Sequence, residues 1–195
     1  MRHIGVSNFN VDQLRQVQQI APVETLQPQY SLIERDVERK LLPFAEREGI
    51  GVIVYSPMGS GLLTGRMNRE RIEQLPDDDW RKHDARFNEP RLSQSLELVA
   101  RLAAIADRHD TSPGAVAVAW TLRNAAVDGA IVGFRRPDQV DPILAAANLE
   151  LTNDDFDEIE GDAPRVCADS SSSSSRRTRP FPAYPAHEPK LHNKP

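Results

Sequence analysis

Two hydrophobic rhythms alternate along the first 160 residues. Short apolar, β-branched runs occur at His3–Ser7, at Val23–Pro28, from Gly49 to Tyr55 and from Gly129 to Val132. They lack the polar alternation of a half-solvated strand and read as buried strands of a parallel sheet. Between them apolar residues recur at helical spacing. Val11, Leu14, Val17 and Ala21 share one face, as do Val37, Leu41, Phe44 and Ala45. Leu96, Val99, Leu102 and Ala103 form the stripe of a long helix over about residues 92–108, and Ala115, Val118, Ala119 and Leu122 that of a second, very apolar one.

End signals support these helices. Asn10 with Gln13 three residues on makes a capping box, and Thr152 with Asp155 makes a weaker one. Ser112-Pro113 is an N-cap followed by proline at the first helical position. Gly49 suits a left-handed C-terminal cap. Pro22 ends the first helix, Pro43 should kink or split the second, and Pro142 sits awkwardly in the helix that Pro137 opens. The order is four strand–helix units with parallel-sheet strands: half of an eightfold βα barrel, or a small open α/β sheet.

Two stretches break the rhythm. Residues 67–91 are a long charged excursion, which in a compact domain is a lid or a disordered loop. Its Asp77-Asp78-Asp79 run has no His or Glu at metal-ligand spacing, so no metal site is expected, and Trp80 and Phe87 should anchor it. After Gly161 the chain turns to a serine homopolymer at residues 170–175, then Arg-Arg-Thr-Arg and a Pro/His/Lys-rich end. Such a composition cannot bury enough apolar surface to order itself. The expected organisation is one domain over residues 1–161 and a disordered, solvated Ser/Arg/Pro-rich tail over 162–195.

Charge sharpens this division. The net charge of −5 combines +3 over residues 168–195 with −8 over residues 1–167, and an acidic body argues against nucleic-acid binding. A lone Cys167 excludes an internal disulfide. There is no apolar run long enough to span a membrane and no signal-peptide core, so a cytoplasmic protein is the default expectation.

The polar residues that carry chemistry sit at strand ends: Ser7-Asn8, Gln29-Tyr30, Tyr55-Ser56-Pro57, and Gly133 to Arg136. In a parallel βα fold these ends share one face, where ligands bind. An amide suits a carboxamide, an aromatic face suits a flat ring, a glycine-rich loop exposes backbone N–H groups to a pyrophosphate, and arginine suits a phosphate monoester. Together they describe a dinucleotide carrying an extra phosphate.

Five stretches add a resemblance: Ile4-Gly-Val-Ser-Asn-Phe9, Gln27-Pro-Gln-Tyr-Ser31, Gly51-Val-Ile-Val-Tyr-Ser-Pro57, Gly61-Leu-Leu-Thr-Gly65, and Ile131-Val-Gly133 with Arg136-Pro-Asp-Gln-Val140. In order and spacing the sequence resembles the C-terminal half of the aldo/keto reductase family. The resemblance implies the last four βα units of a (β/α)8 barrel and the cofactor NADP(H). It assigns Ser7, Asn8 and Gln29 to the nicotinamide carboxamide and Tyr55 to stacking on the nicotinamide. Ser56, Pro57, Met58, Gly59, Gly61 and Arg66 would form the pyrophosphate loop, and Gly133, Arg135 and Gln139 the surroundings of the 2′-phosphate and adenine. The acid and amide usual after the Gln139-Val140 step are here Pro142 and Ile143.

The family's catalytic Asp, Tyr, Lys and His would lie before Met1, so no catalytic residue is expected in this chain. A small carbonyl substrate would be used only with the other half supplied. Exposed edges of a half-barrel would favour a homo-oligomer. A dinucleotide-binding or self-associating module without catalysis, or a truncated remnant, are the alternative expectations.

Overall fold

The computed structural model describes residues 2–161. The expected tail, with Cys167, lies outside the described residues. Four parallel strands pair in sequence order: β1 (Gly5–Ser7), β2 (Thr25–Gln27), β3 (Gly51–Tyr55) and β4 (Gly129–Ile131). Gly5 faces Thr25, Thr25 faces Gly51, and Ile53 faces Gly129. Each crossover therefore moves one strand along the sheet, and all four strand C-termini point the same way.

Among the described residues, seven α-helices connect or follow the strands: α1 (Val11–Gln18), α2 (Leu41–Glu48), α3 (Arg69–Glu73), α4 (Arg91–Arg108), α5 (Pro113–Leu122), α6 (Val140–Leu144) and α7 (Asn153–Glu160). The caps read from sequence are present. Asn10 and Gln13 cap α1 reciprocally, Ser112 accepts from the Ala115 amide, and Thr152 and Asp155 cap α7. Gly49 ends α2 with φ +68°. The stretch 34–48 is split, but before Pro43: a 3-10 turn spans Asp36–Arg39 and α2 starts at Leu41. Pro43 then falls in the first turn, where its missing N–H has no intrahelical partner to lose. Pro142 likewise falls in the first turn of α6, which is only five residues long.

One face of the sheet is covered. Leu26, Val52 and Val54 are buried against Leu14, Leu102, Val116 and Trp120, and Val6 and Ala130 pack on the same core. Removing this apolar surface from water supplies most of the driving force. The alternate residues Thr25, Gln27, Ile53 and Ile131 are exposed. Strand β1 is thus not buried as its composition predicts, because only its Val6 side faces the helices. On the open face Gly5 leaves room for the Thr25 hydroxyl, which would have to turn aside for a Cβ there.

The excursion at 67–91 is folded. It contains α3 and two 3-10 turns, Trp80–His83 and Ala85–Phe87, and its Met67, Ile72 and Phe87 share a small core with Leu62 and Leu92 on either side. Phe87 anchors it as expected. Trp80 does not: it is 52% exposed and touches Phe87 edge-on at 6.0 Å.

Candidate cofactor site at the strand C-termini

Among the described residues, three of the four non-glycine residues with positive φ stand at or shortly after strand C-termini. Asn8 follows β1 (φ +59°), Ser56 follows β3 (φ +55°), and Ser60 lies four residues on (φ +57°). Backbone held in this region costs free energy unless the surroundings fix it, and such residues cluster at functional sites. The turn after β3 continues through Gly59 and Gly61. At Gly61, φ is +96° and nothing lies within 4 Å of where a Cβ would point, so glycine answers to the backbone alone. At Gly59, φ is +57° and a Cβ would stand 2.7 Å from Ile33 Cδ1.

This turn forms one wall of a 570 Å³ cavity. Tyr55, Ser56, Pro57, Met58, Gly61 and Arg66 line it from the β3 side, and Gly133, Arg135 and Gln139 from the β4 side. Nine of the thirteen residues picked out by sequence therefore meet around one space. Gly59 does not line it and is buried in the turn. Gln139 has its carbonyl oxygen engaged: Oε1 accepts from the amides of Arg135 (2.8 Å) and Arg136 (3.2 Å) and so shapes the loop.

Asn8 and Gln29 line a second cavity, of 1090 Å³, and Tyr55 lines both. Tyr55 donates from its hydroxyl to Asn8 Oδ1 at 3.0 Å, and Gln29 bridges to Tyr55 in parallel register. Ser7 lines neither cavity; its hydroxyl donates to the Gln27 carbonyl at 2.9 Å. The tyrosine ring thus stands where the two spaces meet. Tyr30, the other strand-end tyrosine, is buried, and its hydroxyl is pushed far above the ordinary phenol range by burial and by its bond to Glu38 at 2.6 Å. At ordinary pH it remains a neutral donor in the core.

The electrostatics of the first cavity are one-sided. Arg66, Arg71, Arg81 and Arg135 line it, and no Asp or Glu does among the described residues. The nearby carboxylates are occupied. Asp79 is held down to about 2, chiefly by its hydrogen bonds from Arg81. Asp138 is lowered by Arg136, which donates to it at 3.0 and 3.1 Å. Such a wall suits a ligand with several negative charges. Arg71 and Arg81 come from the excursion, where charged residues carry no periodic signal, and sequence reasoning missed them. Pro142 and Ile143 also line this cavity, giving an apolar patch where the resemblance would place an acid and an amide.

The parallel βα sheet defines an α/β protein, and the glycine-rich, arginine-lined cavity at its strand C-termini has a lining that suits an anionic ligand. Residues 1–162 match the aldo/keto reductase family, and the chain belongs to that family. It is 36% identical over 160 residues to "Aldo-keto reductase YhdN" of Bacillus subtilis, an alignment covering 82% of this chain and 48% of that protein. It is 28% identical over 159 residues to "Probable aldo-keto reductase 1" of Glycine max, covering 82% and 45%. Among solved structures it resembles the glycerol dehydrogenase AKR11B4 from Gluconobacter oxydans, with a TM-score of 0.74, 34% identity, and coverage of 82% of this chain and 48% of that one. The chain spans about half the length of the relatives it matches.

Proposed function

We propose that this chain is the NADP(H)-binding, C-terminal half of an aldo/keto reductase barrel, its four βα units being the last four of eight. The carrying observation is the meeting of Tyr55, the glycine turn and four arginines around one cavity free of carboxylates. The thirteen residues then take the roles the resemblance gives them. Asn8 and Gln29 hold the carboxamide, with Ser7 behind them on the same edge. Tyr55 stacks on the nicotinamide. Ser56, Pro57, Met58, Gly61 and Arg66 cradle the pyrophosphate, with Gly59 shaping their turn. Gly133, Arg135 and Gln139 surround the 2′-phosphate and adenine.

When bound, the nicotinamide supplies the hydride that reduces a carbonyl to an alcohol. The chain's own contribution is binding and orientation. Ser56 and Gly61 turn backbone toward the phosphates, and the bond from Tyr55 to Asn8 fixes the ring over the space between the cavities. The resemblance assigns the proton donor for the carbonyl oxygen to none of the described residues. The Tyr55 hydroxyl donates to Asn8, and that of Tyr30, in the core, to Glu38. In this reading the proton donor is supplied by the other half of the barrel.

Titrating the chain into NADPH and following the cofactor's fluorescence tests this reading. Saturable binding is expected, with no carbonyl-dependent NADPH oxidation by the chain alone. No saturable change up to about millimolar protein, far above the usual micromolar affinity range, would overturn the binding role. Turnover by the chain alone would overturn the assignment of catalysis to the other half.

A further inference from the structure

The second cavity is walled by a short turn whose anchor faces the other way. In the 3-10 turn Asp36–Arg39, the residues Asp36, Val37 and Arg39 line the cavity, and Glu38 alone does not. We propose that Tyr30, Arg35 and Glu38 are positioning residues for the nicotinamide end of the site, acting through Tyr55 and through this wall. The inference rests on the cofactor reading above and extends it to three residues that line neither cavity.

Two sets of bonds make the connection. Along the backbone, the Tyr55 amide donates to the Pro28 carbonyl at 3.0 Å, and the Tyr30 amide donates to the Tyr55 carbonyl at 3.3 Å. Tyr55 is thus held at both its amide and its carbonyl by the residues on either side of Gln29. Between side chains, the Tyr30 hydroxyl donates to Glu38 Oε1 at 2.6 Å. Arg35 forks onto the same carboxylate, from Nε at 3.1 Å and from Nη2 at 3.0 Å. Glu38 therefore joins the strand end that holds Tyr55 to the turn that walls the cavity.

The joint is seated on the main core. The Tyr30 ring lies 5.3 Å from that of Trp120, and the Arg35 guanidinium 4.8 Å from the same indole. Arg35 also lies 3.6 Å from Glu160 at the end of α7. A phenylalanine would satisfy the burial of ring 30. The hydroxyl and its carboxylate add direction, because a hydrogen bond has a preferred angle and apolar contact has none. A bond from a buried hydroxyl to a carboxylate is also among the stronger kind. Orientation of the neighbouring strand end is what this arrangement supplies beyond packing.

The test uses the full chain and two ligands. NADPH is followed by its nicotinamide fluorescence, and 2′,5′-ADP, which lacks the nicotinamide, by calorimetry. Y30F keeps the buried ring and removes only the hydroxyl. It is expected to weaken NADPH binding about fivefold, the contribution of one hydrogen bond, while 2′,5′-ADP binding stays within about twofold. E38A should weaken NADPH further, and E38Q, which keeps an acceptor for the hydroxyl, should recover part of that loss. Y30F carries the test even where a Glu38 variant fails to fold. A merely structural role would lower the melting temperature and leave the ratio of the two affinities unchanged. That result overturns the inference, and the cofactor reading stands. A parent chain without saturable NADPH binding overturns both.

Discussion

Gly59 shows how one missing side chain holds the site in place. Its φ of +57° and the Ile33 methyl 2.7 Å from a would-be Cβ act together. Gly59→Ala should therefore destabilise the chain by about 1–3 kcal/mol, from left-handed strain and a forced shift of Ile33. Urea denaturation would show a lower midpoint at an unchanged slope. An unchanged midpoint would mean that the turn relaxes freely. The sequence pointed to this glycine as a phosphate contact, whereas the structure seats it beneath the loop. The distinction was not legible because Ile33 comes from a different βα unit, and the contact exists only after the units pack.

At the scale of elements, caps were the most legible features and packing of the excursion the least. Asn10, Ser112 and Thr152 act through residues three positions away, so their partners stand in plain view in the sequence. Arg71 and Arg81 owe their place to α3 and to the 3-10 turn at Trp80–His83, elements too short to show a period. Trp80 was misjudged for a related reason: an indole in a short turn can face either way, and here it faces solvent.

The cap of α7 does more than its spacing indicated. Asp155 is buried, accepts from the Thr152 amide and hydroxyl at 2.8 Å, and meets Arg108 and His109 at 2.9 and 2.8 Å. Burial alone would raise its pKa, but the donors from Arg108, Thr152 and His109 outweigh it and hold the carboxyl far below the ordinary range. A depressed folded-state pKa contributes stability that is present above the unfolded value, about 3.9, and is lost as pH falls below it. Asp155→Ala should cost about 1–3 kcal/mol at neutral pH by removing the α7 cap and the charge-assisted bonds from Arg108 and His109. The gap between parent and variant in thermal melts should narrow below about pH 4. A gap that stays constant down to pH 2 would contradict the role given to the ionised carboxylate.

At the scale of the whole molecule, the sheet has an outer face under helices and an inner face in water. The sequential parallel order was readable because each apolar run was followed by one helical stripe. The openness was not readable from periodicity, since β1 and β4 have the composition of buried strands. Among the described residues β1 and β4 each lack a neighbour on one edge, and Ile53 and Ile131 are 40% and 43% exposed on the open face. Unpaired edges beside exposed apolar side chains favour association. Light scattering of the purified chain should give a mass above that of one copy, and Ile53→Lys should lower it. A monodisperse single copy with a cooperative melt would show that the open face is stable in water.

The two indoles divide the molecule optically. Trp120 is 4% exposed in the main core, with the Arg35 guanidinium 4.8 Å from its ring. Trp80 is half-exposed on the same short turn as Arg81, with Arg86 5.5 Å from its ring. The red side of the emission band should therefore be dominated by Trp80. A iodide quencher should silence Trp80 first while Trp120 goes on reporting the integrity of the core, giving two gauges, one for the rim and one for the interior, in a chain with no added label.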